Sequence, residues 1–63
     1  MDLLVPISGR EMLKKFKKNG WIEIRQKGSH VKVGKGDLRE TIPLHKELRK
    51  GLEQKLLKRL MED

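Results

Sequence analysis

Trp21-Ile22-Glu23-Ile24-Arg25-Gln26-Lys27-Gly28-Ser29-His30-Val31-Lys32-Val33 is the stretch on which the fold turns. Before it, apolar residues recur at helical spacing; from Trp21 onward the period becomes two. Ile22 and Ile24 alternate with Trp21, Glu23 and Arg25, which predicts a strand half buried through its isoleucines. Lys27-Gly28 is a turn signal, and Val31 and Val33 alternate with His30 and Lys32 in a second strand. If the valines face a core, strand alternation turns His30 and Lys32 outward.

Upstream, Ser8 and Glu11 have the S-x-x-E spacing of a capping box, with Ile7 and Met12 placed to form the accompanying hydrophobic staple. Met12, Leu13 and Phe16 then share one helix face, while Lys14, Lys17 and Lys18 occupy the other. Asn19-Gly20 ends the helix, with Gly20 in the left-handed position beyond it. Residues before Ile7 read as an extended lead closing at Pro6.

Downstream, Gly34 to Asp37 reads as a loop and Leu38 to Ile42 as a third strand ending at Pro43. Short connections make the three strands an antiparallel meander. A looser segment, Leu44 to Lys50, leads to a last helix from about Gly51, with Leu52, Leu56 and Leu60 on one stripe widened by Leu57 and Met61. The expectation is a small α+β domain of order α-β-β-β-α. Its three-stranded antiparallel sheet carries both helices on one face, because two amphipathic helices and one sheet share a core only that way. Ile22, Ile24, Val31, Val33 and Ile42 are the expected inward set. The 63 residues form a single domain, with its core from about Ile7 to Met61.

Composition narrows the classes. The chain has no cysteine, so neither a disulfide nor a thiolate metal site is available. No run approaches the ~18 apolar residues of a membrane helix, and Leu3-Leu4-Val5 is too short for a signal-peptide core. A cytoplasmic protein with no membrane partner is expected. The net charge is +7. Residues 1–13 sum to −1 and residues 51–63 to zero, which leaves +8 on residues 14–50. Such concentration is the footprint of a phosphate-backbone binder, against the plainer reading of a solvated surface.

His30 is the candidate for chemistry. It follows the small residues Gly28 and Ser29, where a ligand can approach the backbone, and Arg25, Lys27 and Lys32 lie near it in a region suited to a phosphate. Imidazole is the side chain whose ordinary titration lies nearest neutral pH, so it can serve as base or acid. Two histidines without a third ligand-like residue at a convincing spacing exclude a metal site from expectation, and no cofactor is expected. Neither do the carboxylates offer a pair: Glu23 alternates outward beside Arg25, and Glu40 can face either way.

The blocks Lys18-Asn19-Gly20-Trp21, Arg25-Gln26-Lys27-Gly28-Ser29-His30, Thr41-Ile42-Pro43-Leu44-His45-Lys46-Glu47-Leu48 and Lys50-Gly51 resemble, in order and spacing, successive blocks of the HicA toxin family. The resemblance runs from about Ile7 to Leu60, and Gly28-Ser29-His30 is its most specific element. It implies a fold like the double-stranded-RNA-binding domain. It also implies ribosome-independent cleavage of messenger RNA with the histidine of the Gly-Ser-His block essential, and neutralisation by a HicB-like antitoxin. One block departs: the family often continues Gly-Thr-Leu where this chain reads Gly51-Leu52, so no function is carried to that position.

The expected RNA contacts are Arg25, Lys27, Gly28, Ser29 and Lys32 around His30, with Lys14, Lys17 and Lys18 as a more distant basic face that tracks backbone. The role of His45 stays open between a second acid or base, a phosphate or antitoxin contact, and a polar residue in a connection, the last being preferred. A non-catalytic RNA-binding domain explains the charge equally well, and a protein-interaction domain with an acidic partner is a third reading.

Overall fold

The computed structural model describes residues 7–62; the lead expected before Ile7 lies outside them. Helix α1 (Gly9–Lys18) is followed by strands β1 (Ile22–Lys27), β2 (His30–Lys35) and β3 (Leu38–Pro43), and by helix α2 (Lys50–Met61). The strands form one antiparallel sheet in the order β1-β2-β3. Met12 and Phe16 of α1 and Leu56 of α2 are buried in a single cluster with Val31, Val33 and Ile42, so both helices cover the same face. This is the α+β arrangement expected, and it is compatible with a double-stranded-RNA-binding-domain-like fold.

Local chemistry sets the ends of α1. The Glu11 amide donates to Ser8 Oγ at 3.1 Å, and the Ser8 amide donates to Glu11 Oε1 at 3.0 Å, which completes the capping box. The Ser8 amide first, and then the Ser8 hydroxyl, hold the Glu11 carboxyl below its ordinary value. At the other end Gly20 takes φ +91°, its amide donates to the Lys17 carbonyl, and the Trp21 amide donates to the Phe16 carbonyl at 3.0 Å. That is a Schellman motif, and its usual apolar contact is present: the Phe16 and Trp21 rings meet edge-on at 4.9 Å.

The motif corrects the phase expected for β1. Trp21 is buried, whereas Ile22 and Ile24 are 66% and 41% exposed. Ile22 lies opposite Gly34, Glu23 opposite the buried Val33, and Arg25 opposite Lys32, so Ile24 is one residue too many. This β-bulge absorbs the half-period by which Trp21 enters the core early. Glu23 therefore faces the helices, where it pairs with Lys17 at 3.4 Å, instead of standing outward beside Arg25. After the bulge the expected phase returns: Arg25 and Lys27 are outward.

Two smaller corrections concern the rest of the chain. β2 continues through Gly34 to Lys35, so the second turn is only Gly36-Asp37, with Lys35 opposite Leu38. Met61 is 84% exposed and does not widen the apolar stripe of α2, which rests on Leu56 with Leu52, Leu57 and Leu60 around it. Glu40 faces inward, opposite Val33, and its buried carboxylate accepts from Arg59 Nε at 2.7 Å with Lys55 Nζ at 3.7 Å. This pair ties α2 to the sheet where apolar burial is thin.

Candidate active site

The face of the sheet turned away from the helices carries the candidate residues. The β1–β2 hairpin closes with Lys27 opposite His30 around Gly28-Ser29. Gly28 has φ +59° and open space around its α-carbon, so glycine serves conformation here. A two-residue loop with glycine first is the type II′ pattern, whose twist matches the flanking strands. The Gly28 carbonyl accepts from Gln26 Nε2 at 2.9 Å, and the Ser29 carbonyl accepts from the Leu44 amide at 2.7 Å. Both carbonyls of the turn are thus held.

Two rows cross the bare face. Lys27, His30 and Pro43 form the first, and Arg25, Lys32 and Thr41 the second. Together Arg25, Lys27, His30, Lys32 and Thr41 line a shallow depression of about 200 Å³. His30 is exposed, as alternation against Val31 requires. Arg25, Lys27 and Lys32 form no ion pair with a carboxylate among the described residues. Like charges directly across a strand pair cost stability, so three uncompensated cations around one depression leave a field suited to an anion.

The structure separates the remaining cations from this place. Lys14, Lys17 and Lys18 are exposed on α1, beyond the core on the opposite side of the sheet, and Lys17 is engaged with Glu23. Among the described residues no group of three or more His, Cys, Asp or Glu is placed to hold a metal ion. No described helix is long and apolar enough to cross a membrane.

Two residues gain importance that sequence reasoning did not give them. His45 stands beside His30, with ring centroids 6.2 Å apart and planes inclined by 73°. Its main chain is fixed by the start of α1, where the Gly9 amide donates to the His45 carbonyl at 2.9 Å. Gly9 itself has no room for a side chain: a β-carbon would lie 1.9 Å from the Pro43 carbonyl oxygen and 2.8 Å from the Leu44 α-carbon. The readable signal was the register. A two-residue turn at Gly36-Asp37 puts Pro43 opposite His30, so the chain leaving β3 passes the histidine.

No curated protein and no solved structure gives a significant match. A family model described as HicA toxin of bacterial toxin-antitoxin matches residues 9–60, from the first residue of α1 almost to the end of α2. The match spans both rows of the depression and both histidines, and covers most of the chain. The chain belongs to the HicA toxin family of bacterial toxin–antitoxin systems.

Proposed function

We propose that this toxin is a metal-independent endoribonuclease that cleaves messenger RNA in the cytoplasm, with His30 as the side chain that moves a proton. RNA supplies its own nucleophile, the 2′-hydroxyl. An imidazole helps that proton leave, or protonates the departing 5′-oxygen, while cations steady the charge on phosphorus. General acid–base help is worth ~10²–10⁴-fold, and fixed cations add electrostatic stabilisation. The observation that carries the reading is an exposed imidazole lining the depression where Arg25, Lys27 and Lys32 gather without carboxylate partners among the described residues. Gly28 and Ser29 shape the turn that presents it, and Lys14, Lys17 and Lys18 form a separate, more distant basic face on α1 for backbone contact. A toxin of such a system has an antitoxin partner; we assign it as a HicB-like, acidic protein that covers Gly28 to Lys32 and meets the neighbouring cations.

The test is His30→Ala. The imidazole is exposed, so folding stability should move by no more than about 0.5 kcal/mol. RNA affinity should persist, falling steeply with salt because the cations remain. Cleavage and growth inhibition should vanish, and wild-type cleavage should continue in excess EDTA. A variant that still cleaves puts the chemistry elsewhere. Wild-type protein that binds RNA without cutting it makes this a non-catalytic RNA-binding domain.

A further inference from the structure

His45 is held by its backbone and left free at its side chain. Its carbonyl accepts from Gly9, and the residue before it donates to Ser29, so the connection after β3 is pinned to both α1 and the Gly28-Ser29 turn. Its imidazole is exposed and makes no hydrogen bond to a described residue. Among the described residues the one ring it meets is that of His30, edge-on at 6.2 Å, and His30 likewise has no hydrogen-bond partner there. A histidine kept for structure is buried or bonded through its ring; this one is presented.

Cleavage of RNA by its own 2′-hydroxyl needs two proton transfers at opposite sides of one phosphorus. We propose that His45 is the second proton-transfer group, paired with His30 across a single phosphodiester; this rests on the ribonuclease reading above. A general acid or base works from about 2.6–3.2 Å. Two rings serving different oxygens of one phosphate therefore stand on the order of 6 Å apart, too far for a mutual hydrogen bond and close enough to share the substrate. One ring, neutral, takes the proton of the 2′-hydroxyl as that oxygen forms its bond to phosphorus. The other, protonated, gives its proton to the 5′-oxygen as the bond from phosphorus to that oxygen breaks. The products are a 2′,3′-cyclic phosphate and a 5′-hydroxyl, and exchange with water returns both rings to their starting forms. Around the pair, Arg25, Lys27 and Lys32 face it from the sheet, Lys46 and Glu47 flank it in the connection, and Arg10 follows Gly9 at the start of α1. Of all these groups only His30 and His45 carry an imidazole, the side chain suited to act as either base or acid, so the two limbs of the rate profile are assigned to them.

The test measures kcat/KM against pH for wild type, His30→Ala and His45→Ala, on an RNA dinucleotide and on the same dinucleotide with a 5′-bridging sulfur. Sulfur leaves without being protonated, so it relieves only the variant that lacks the acid. We expect a bell for the wild type and a rate on RNA about 100-fold or more lower in His45→Ala, with one limb missing and RNA affinity retained. One of the two variants should regain rate on the sulfur substrate and the other should not. A His45→Ala protein with near-wild-type rate and both limbs overturns the proposal, while inactive His30→Ala beside it leaves the ribonuclease reading standing. If His30→Ala cleaves the all-oxygen RNA dinucleotide, that reading itself falls. Thermal unfolding of His45→Ala and His45→Gln is the control, and loss of the fold in both makes His45 structural and refutes the pair.

Discussion

The two faces of the sheet are built from alternate residues of the same strands, yet they obey different rules. Toward the helices, Val31, Val33 and Ile42 are buried with Met12, Phe16 and Leu56, and the carboxylates there, Glu23 and the buried Glu40, are each paired with a cation. Away from them, His30, Lys32, Arg25 and Lys27 are exposed and form no ion pair among the described residues, and even Ile22 is largely in solvent. One face holds the molecule together; the other is free to serve a ligand. In a domain this small each strand residue belongs to one of these tasks, and β2 carries both at a spacing of one residue.

Neighbouring residues of β3 test that separation most severely. Ile42→Ala should cost about 2–5 kcal/mol, enough to unfold much of so small a domain, whereas Thr41→Ala should stay within about 0.5 kcal/mol. Urea midpoints measure both, and a similar loss for the two would break the division. Next in size, Gly9→Ala should cost about 1–3 kcal/mol, because the intruding methyl meets backbone that cannot step aside. Gly34→Ala meets only the ends of Ile24 and Arg39, and on the bare face it should shift stability by about 0.5 kcal/mol or less.

A third test uses acid. The folded Glu11 carboxyl is held below its ordinary value by the Ser8 amide and hydroxyl, so its contribution is present above the ordinary carboxylate range and is lost as pH falls through the folded value. Glu11→Gln should therefore be less stable than wild type near neutral pH, with the gap closing in acid; thermal midpoints across pH read it. The smallest effect belongs to Ile22→Thr, which should leave stability within about 0.5 kcal/mol despite removing an apolar side chain. A cost of 2 kcal/mol or more there, read as about the loss for a buried aliphatic residue, would return Ile22 to the core.

Local signals were legible in the sequence and phase was not. Ser8-x-x-Glu11 and Asn19-Gly20 each act within a turn or two of chain, and both ends of α1 follow them. The bulge at Ile24 adds a residue without a residue type to announce it, so counting by twos from Trp21 put the isoleucines inside. What moved them was a contact across the helix end, Phe16 against Trp21, which alternation alone cannot contain. The candidate site divides in the same way. Arg25 to Lys32 lie on one hairpin and were readable together. Thr41 and His45 reach His30 only through the β2–β3 register and the docking of α1, and a second turn read two residues too long set Thr41 opposite His30 and carried Pro43, with His45 after it, past the end of β2.

The bulge also bears on how copies of this chain keep apart. β1 is an outer strand of the sheet, and a flat outer strand offers its unpaired N–H and C=O groups to any neighbour of like sequence. Ile22 and Ile24, apolar and β-branched on that strand, are the composition that sheet-to-sheet growth exploits. Breaking the ladder between Glu23 and Arg25 twists the rim out of register, and Arg25 and Lys27 add mutual repulsion between copies. The irregularity that lets Trp21 into the core thus also guards solubility at the rim.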